Sequence, residues 1–115
     1  MPRVTLVKTI PAGPIPLTAL TVLAFTAADP ANNEQIVLTS KDILIIWNSH
    51  ASITYNYILT GVADTLGRTA NIASAIGPGV FHTCIPGPEG FRQTGGYLFL
   101  EADNAAVRYA VVTFP

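Results

Sequence analysis

Turn signals recur along this chain at intervals too short for long helices and well suited to strands. Pro11-Ala12-Gly13-Pro14, Asp29-Pro30-Ala31-Asn32-Asn33 and Asn48-Ser49-His50 come first. Leu66-Gly67, Gly77-Pro78-Gly79, Pro86-Gly87-Pro88, Gly95-Gly96 and Asp103-Asn104 follow. Each gathers residues that preset φ, accept positive φ, or bend the backbone through a side-chain oxygen. The segments between them are rich in valine, isoleucine and threonine, whose branched Cβ fits a pleated, half-buried surface. No window of a dozen residues carries an apolar stripe at helical spacing with polar residues opposite. This punctuation predicts an all-β chain, a single-domain β-sandwich or jelly-roll-like antiparallel fold of about eight or nine strands.

The strands are expected at Val4–Ile10, Leu20–Ala27, Gln35–Thr39, Asp42–Asn48, Ser52–Val62, Ala70–Ile76, Val80–Ile85, Tyr97–Ala102 and Val107–Phe114. Ile43-Leu44-Ile45-Ile46-Trp47 is apolar at every position, which predicts a central strand covered on both faces, with Trp47 largely buried. In the long segment after it, Ile53, Tyr55, Tyr57 and Leu59 share one face. Thr54, Asn56 and Thr60 share the other with Ile58 and Val62, so the tyrosines are expected to point inward. Asn48-Ser49-His50-Ala51 would then close a hairpin between these two strands. Gly77-Pro78-Gly79 suits a type II turn, with Pro78 fixing φ and Gly79 supplying a positive φ. Gly95-Gly96 suits a tight hairpin connection into Tyr97.

Residues 1–16 read differently from the sandwich domain expected over residues 17–115. Val4–Ile10 is β-branched, but Pro11, Pro14 and Pro16 then remove ladder donors at close intervals. Two readings follow. One is an edge strand leading into a stiff connector; the other is an extended arm laid on a neighbouring subunit. In the arm reading, Val4, Leu6 and Ile10 lie in the paired segment, and Ile15 and Leu17 pack on the partner.

Charge is scarce: 11% of residues are charged and 50% are hydrophobic. An average soluble domain carries roughly 25% charged residues. A domain of this size still exposes about a third of its unfolded surface. Surface that cannot be dressed in charge is best covered by a partner, which predicts a homo-oligomer or attachment to a lattice of subunits. The net charge of −1 supplies no field for nucleic acid or an anionic membrane, so neither is an expected partner. Arg3 and Lys8 ahead of the apolar run Leu17–Ala28 imitate a secretory signal. Three prolines just before that run argue against a helical core for one, and the run is too short to cross a bilayer.

Chemical motifs are thin. Asp29 to Glu34 gathers oxygen ligands without the alternating spacing of a calcium loop, and reads as a solvated turn. His82 and Cys84 lie two apart, hence on one face of a strand, with no local acid to complete a nucleophilic centre. A lone cysteine in an apolar stretch reads as a small core residue. His50 reads as a loop histidine, and one cysteine with two histidines makes no zinc cluster. Neither phosphate-binding glycine motif is present. No catalytic residues, metal or cofactor are expected. Tyr55, Tyr57, Tyr97, Tyr109, Trp47 and Phe91 could together form a stacking platform for sugar rings. Filling the core is the commoner use of such residues. Phe91 and Arg92, in the loop-rich stretch from Pro86 to Gly96, are the better candidates for a surface contact.

Several stretches together resemble small virion proteins of tailed bacteriophages. They are Ile45-Ile46-Trp47-Asn48-Ser49, Ile53-Thr54-Tyr55-Asn56-Tyr57-Ile58 and Leu66-Gly67-Arg68-Thr69. Ile76-Gly77-Pro78-Gly79-Val80-Phe81 and Gly90-Phe91-Arg92-Gln93-Thr94 extend the likeness over residues 34–115. The resemblance implies a non-enzymatic β-sandwich on the virion capsid surface, a decoration or cement protein assembled in the host cytoplasm. Its implied partners are the major capsid protein or other virion subunits. The alternative is a carbohydrate- or receptor-binding sandwich on a particle or cell surface. An exported adhesin-like domain is a third reading.

Overall fold

Every expected strand segment contains a strand in the computed structural model, which describes residues 3–10, 23–39, 41–62, 66, 71–85, 91–93 and 95–113. The strands are β1 (Val4–Thr5), β2 (Thr26–Ala27), β3 (Glu34–Val37), β4 (Asp42–Asn48) and β5 (Tyr55–Leu59). They continue as β6 (Ile72–Ile76), β7 (Phe81–Cys84), β8 (Tyr97–Ala102) and β9 (Val107–Thr113). Two sheets form: β1-β3-β8-β5-β6 and β2-β9-β4-β7. The chain is an all-β sandwich. Pairing is antiparallel except for β1 with β3 and a bridge between Thr9 and Val112, which are parallel.

The core lies between the sheets and follows from period-two alternation. Ile36, Leu59, Ile76, Leu98 and Leu100 come inward from the five-stranded sheet, and Leu44, Ile46, Val107, Tyr109 and Val111 from the four-stranded one. Burying each such side chain contributes about 1.5–3 kcal/mol. Tyr57 is buried as expected, and Tyr55 packs against the core, but Ile53 is 46% exposed because β5 begins only at Tyr55.

Two expectations about β4 need correction. The strand is central in its sheet, between β9 and β7, yet only one of its faces is fully covered. Asp42, Leu44, Ile46 and Asn48 are buried, while Ile43, Ile45 and Trp47 lie on the outer face, half-buried. A two-layer sandwich gives each strand one inner face, so a run apolar at every position must leave half its side chains outside. Trp47 is one of these.

Nor does Asn48-Ser49-His50-Ala51 close a hairpin: β4 and β5 belong to different sheets. The chain crosses between layers there, and the buried Asn48 side chain holds the corner. Its Nδ2 donates to Ile53 O at 2.8 Å and Ile76 O at 2.9 Å, and its Oδ1 accepts from His50 N at 3.0 Å. His50 Nδ1 in turn accepts from the amides of Ser52 and Ile53, both at 3.0 Å. The two turn expectations further along fare better. Val80 N donates to Gly77 O at 3.1 Å around Pro78 and Gly79, with Gly79 at φ 72°. Gly95 and Gly96 both adopt positive φ where Gln93 pairs with Tyr97.

Residues 3–10 are stitched to both sheets of their own domain. Val4 N donates to Asn33 O and Leu6 N to Gln35 O, each at 2.9 Å, along the edge of β3. Thr9 N then donates to Val111 O at 2.7 Å and Thr9 O accepts from Thr113 N at 2.9 Å, along the edge of β9. Leu6 turns into the core between these contacts. Lys8 pairs with the buried Asp42 at 3.1 Å and also donates to Val37 O. The backbone pairing that an arm would offer a neighbour is made within the chain at Val4, Leu6 and Thr9. Pro11, Pro14, Ile15, Pro16 and Leu17 lie outside the described residues, as do Gly67 and Pro86 to Pro88.

Candidate functional site

The outer faces of the two sheets are dressed differently. On the five-stranded sheet, Arg3 lies over the Phe99 ring at 4.1 Å and pairs with Glu101 at 2.9 Å. Gln35 Nε2 donates to Thr5 Oγ1 at 3.1 Å, and Asn56 Nδ2 donates to Asp103 Oδ2 at 3.0 Å. That surface mixes these polar contacts with Val37, Ile58, Tyr97 and Phe99, and the Arg3–Glu101 charges on it are paired.

On the four-stranded sheet, register alone assembles an apolar surface. Trp47 on β4 sits opposite Arg108 of β9 and Phe81 of β7; Ile45 sits opposite Ala110 and Thr83; Ile43 sits opposite Val112. Paired residues share a face, so all of these lie on the outer side with Trp47, Ala110 alone among them being buried. Trp47 and Phe81 stack at 5.3 Å between centroids with an interplanar angle of 3°. Phe25, two residues before Ala27 of β2, meets Trp47 edge-on at 5.4 Å and Phe81 at 6.1 Å. The Arg108 guanidinium lies 5.9 Å from the Trp47 centroid, and its Nε donates to Ser49 Oγ at 3.2 Å. Since β7 and β9 flank β4, Phe81 and Arg108 approach the indole from opposite sides. Such aromatic pairs contribute about 0.5–1.5 kcal/mol each beyond burial, which holds the cluster in one geometry. Yet Phe81 remains 55% exposed, beside Val80 at 42% and Ile85 at 73%.

Arg108 is the one charged side chain among the described strand residues of this face. The surface can bury apolar area against another protein, and its described strand residues include no Asp, Glu, Lys, His or Cys.

The residues expected to touch a partner are scattered. Val4, 40% exposed, is on the edge strand β1, and Ile10, 64% exposed, follows the bridge to β9. Leu6 is in the core and is therefore not available to a partner. Phe91 packs against the core rather than standing on the surface. Arg92 is exposed and its Nη2 donates to Leu38 O at 3.0 Å. Ile15 and Leu17 lie outside the described residues. Sequence reasoning missed Phe25 and Phe81. For Phe81 a signal existed: alternation that turns His82 and Cys84 inward must turn Phe81, Thr83 and Ile85 outward.

The other motifs resolve into structural roles. His82 Nδ1 and the Tyr57 hydroxyl are 2.8 Å apart and tie the two sheets together. Burial raises the Tyr57 phenol and the Cys84 thiol, the opposite of the lowered pKa an attacking thiolate needs. Asp29 caps its own turn, accepting from Asn32 Nδ2 at 2.8 Å and from the amides of Ala31 and Asn32. The Asn32 side chain holds the Asp29 carboxyl below its usual range. Among the described residues no group of three or more His, Cys, Asp or Glu side chains is placed to hold a metal. A cavity of about 280 Å³ opens beside Asn33, Asn56, Glu101 and Asp103, but Arg3 and Asn56 already occupy its two carboxylates. Comparison with family models, with curated proteins and with solved structures finds no match for this chain.

Proposed function

We propose that the protein is a non-enzymatic structural component of a phage particle, a decoration or cement protein that binds and stabilises the head shell. The observation that carries the reading is the apolar outer face of the four-stranded sheet, with Phe25, Trp47 and Phe81 clustered beside a single arginine. An ordered aromatic cluster that is still half-exposed is the kind of surface that anchors protein interfaces. The phage particle itself is named on the sequence resemblance over residues 34–115. Mass spectrometry of washed, intact particles tests this: the chain is expected in fixed stoichiometry with the major capsid protein. Its absence from those particles refutes the reading.

A carbohydrate- or receptor-binding sandwich is the second reading, and the Phe81 ring favours it by standing 55% exposed at the rim of the sheet. A glycan that binds the wild type and not Phe81→Ala would put this reading first.

A further inference from the structure

Natural sandwiches blunt their free strand edges with charges, prolines, bulges or very short strands. One side of this sandwich follows that rule: β1 and β2 are two residues each, flanked by Arg3, Lys8 and Asp29. The opposite side, formed by β6 and β7, has prolines only outside its strands, at Pro78, Pro86 and Pro88, and no charge within them. Residues 69–88 contain no Asp, Glu, Lys or Arg.

Backbone accounting shows what β7 leaves open. Asn48 N donates to Val80 O at 3.2 Å, which sets the phase of the β4–β7 ladder. Alternate residues Val80, His82 and Cys84 therefore direct their amides and carbonyls at β4. Phe81, Thr83 and the next residue, Ile85, direct theirs away from the sheet, and among the described residues these groups have no hydrogen-bond partner. The side chains of the same three residues are exposed.

We propose that a second copy of this chain pairs antiparallel with β7 across a two-fold axis at Thr83. The segment is self-complementary about that residue. With Thr83 opposite Thr83 of the second copy, Phe81 faces the copy's Ile85 and Ile85 faces its Phe81. The outward amides and carbonyls then meet as three hydrogen-bonded pairs, giving about six backbone bonds. Aromatic with β-branched and threonine with threonine are favourable cross-strand pairs. A shift by one residue sets outward groups against inward ones, and a shift by two loses bonds. Any other strand would have to match an uncharged segment by chance, whereas an identical strand matches by symmetry. The pairing joins two four-stranded sheets into one, so that the Trp47–Phe81 surfaces of both copies lie on one continuous face. This deepens the assembly role proposed above and rests on it for its biological purpose, though not for its physical basis.

Sedimentation velocity of the full chain over the micromolar range tests the pairing. The wild type is expected to dimerise. Thr83→Lys sets like charges opposite one another at the axis, and Thr83→Pro removes an outward amide without touching the β4 ladder. Both should keep the wild-type melting temperature and weaken the dimer at least about tenfold. Register is read by mild oxidation: Thr83→Cys should cross-link, since opposed Cα atoms in such a pair lie about 5.5 Å apart. Phe81→Cys, opposite Ile85, and the wild type, whose Cys84 faces His82, should not. A wild type monomeric throughout the range overturns the proposal, as does cross-linking of Phe81→Cys as ready as that of Thr83→Cys. Particle stoichiometry is scored separately, so a chain present on particles yet monomeric in solution refutes the dimer and leaves the proposed function standing.

Discussion

Two buried acids, Glu34 and Asp42, are each 1% exposed and titrate in opposite directions. Glu34 points between the sheets, where its Oε2 accepts from Asp29 N at 2.6 Å. Its Oε1 has no partner, and neither does the hydroxyl of the buried Tyr109. Burial raises the Glu34 carboxyl above its ordinary value; the Asp29 amide opposes this, the Asp29 charge adds to it and Arg3 opposes it. Folding therefore favours protonated Glu34. That contribution is complete below the ordinary carboxylate range and is lost as pH rises through the folded value. Glu34→Gln keeps an acceptor for Asp29 N and carries no charge, so it should stabilise the protein by about 1 kcal/mol near neutral pH. Denaturant titrations at neutral and acid pH check this, and an equal gain at both contradicts the charge argument. For Asp42, burial works upward, but Thr113 Oγ1, Thr39 N and Lys8 outweigh it and the net shift is downward. Its stabilisation is present above the ordinary carboxylate range and fades as pH falls through the lowered value. Asp42→Asn leaves Lys8 without its counter-charge and should cost about 1–3 kcal/mol at neutral pH. If its melting temperature at neutral pH equals that of the wild type, Asp42 is not holding the N-terminal segment.

At the scale of strands, positions were legible in the sequence because turn residues and β-branched runs are local signals. Asp42–Asn48 and Tyr97–Ala102 have the expected bounds, and the others differ mainly at their ends. Pairing was not legible. Nothing in Asn48-Ser49-His50-Ala51 distinguishes a hairpin from a crossing between layers; the difference lies in where Asn48 Nδ2 finds its carbonyls, on Ile53 and Ile76. The N-terminal segment shows the same limit. Its β-branched residues announce a strand, but they do not say that it changes sheets at Leu6 to Lys8. Leu6 is the anchor of that passage. Leu6→Ala should cost about 2–4 kcal/mol, as other buried leucine truncations do. A wild-type melting curve for this variant would mean that residues 3–10 are not integral to the domain.

For the whole molecule, the scarcity of charge implied apolar side chains on the outside without locating them. Composition carries no information about place, and Phe25, Trp47 and Phe81 are far apart in sequence; only the pairing of β4 with β7 and of β2 with β9 gathers them. The consequence is that adjacent residues of one strand serve different ends. Ile46 is 1% exposed within the sandwich, while Trp47, its neighbour, faces outward and is held by Phe81, Phe25 and Arg108. Ile46→Ala should therefore cost about 2–5 kcal/mol in stability, the range for buried aliphatic truncations. Trp47→Ala should cost less than that, because the indole is already half in water and no core cavity is left behind. Its effect should fall on association. Trp47→Ala is expected to melt close to the wild type and yet be lost from particles that retain the wild-type chain, whereas Ile46→Ala melts early. Thermal melts of the two variants beside particle-binding assays separate the faces. Should Trp47→Ala bind particles as well as wild type, the outer face of the four-stranded sheet is not the surface that docks.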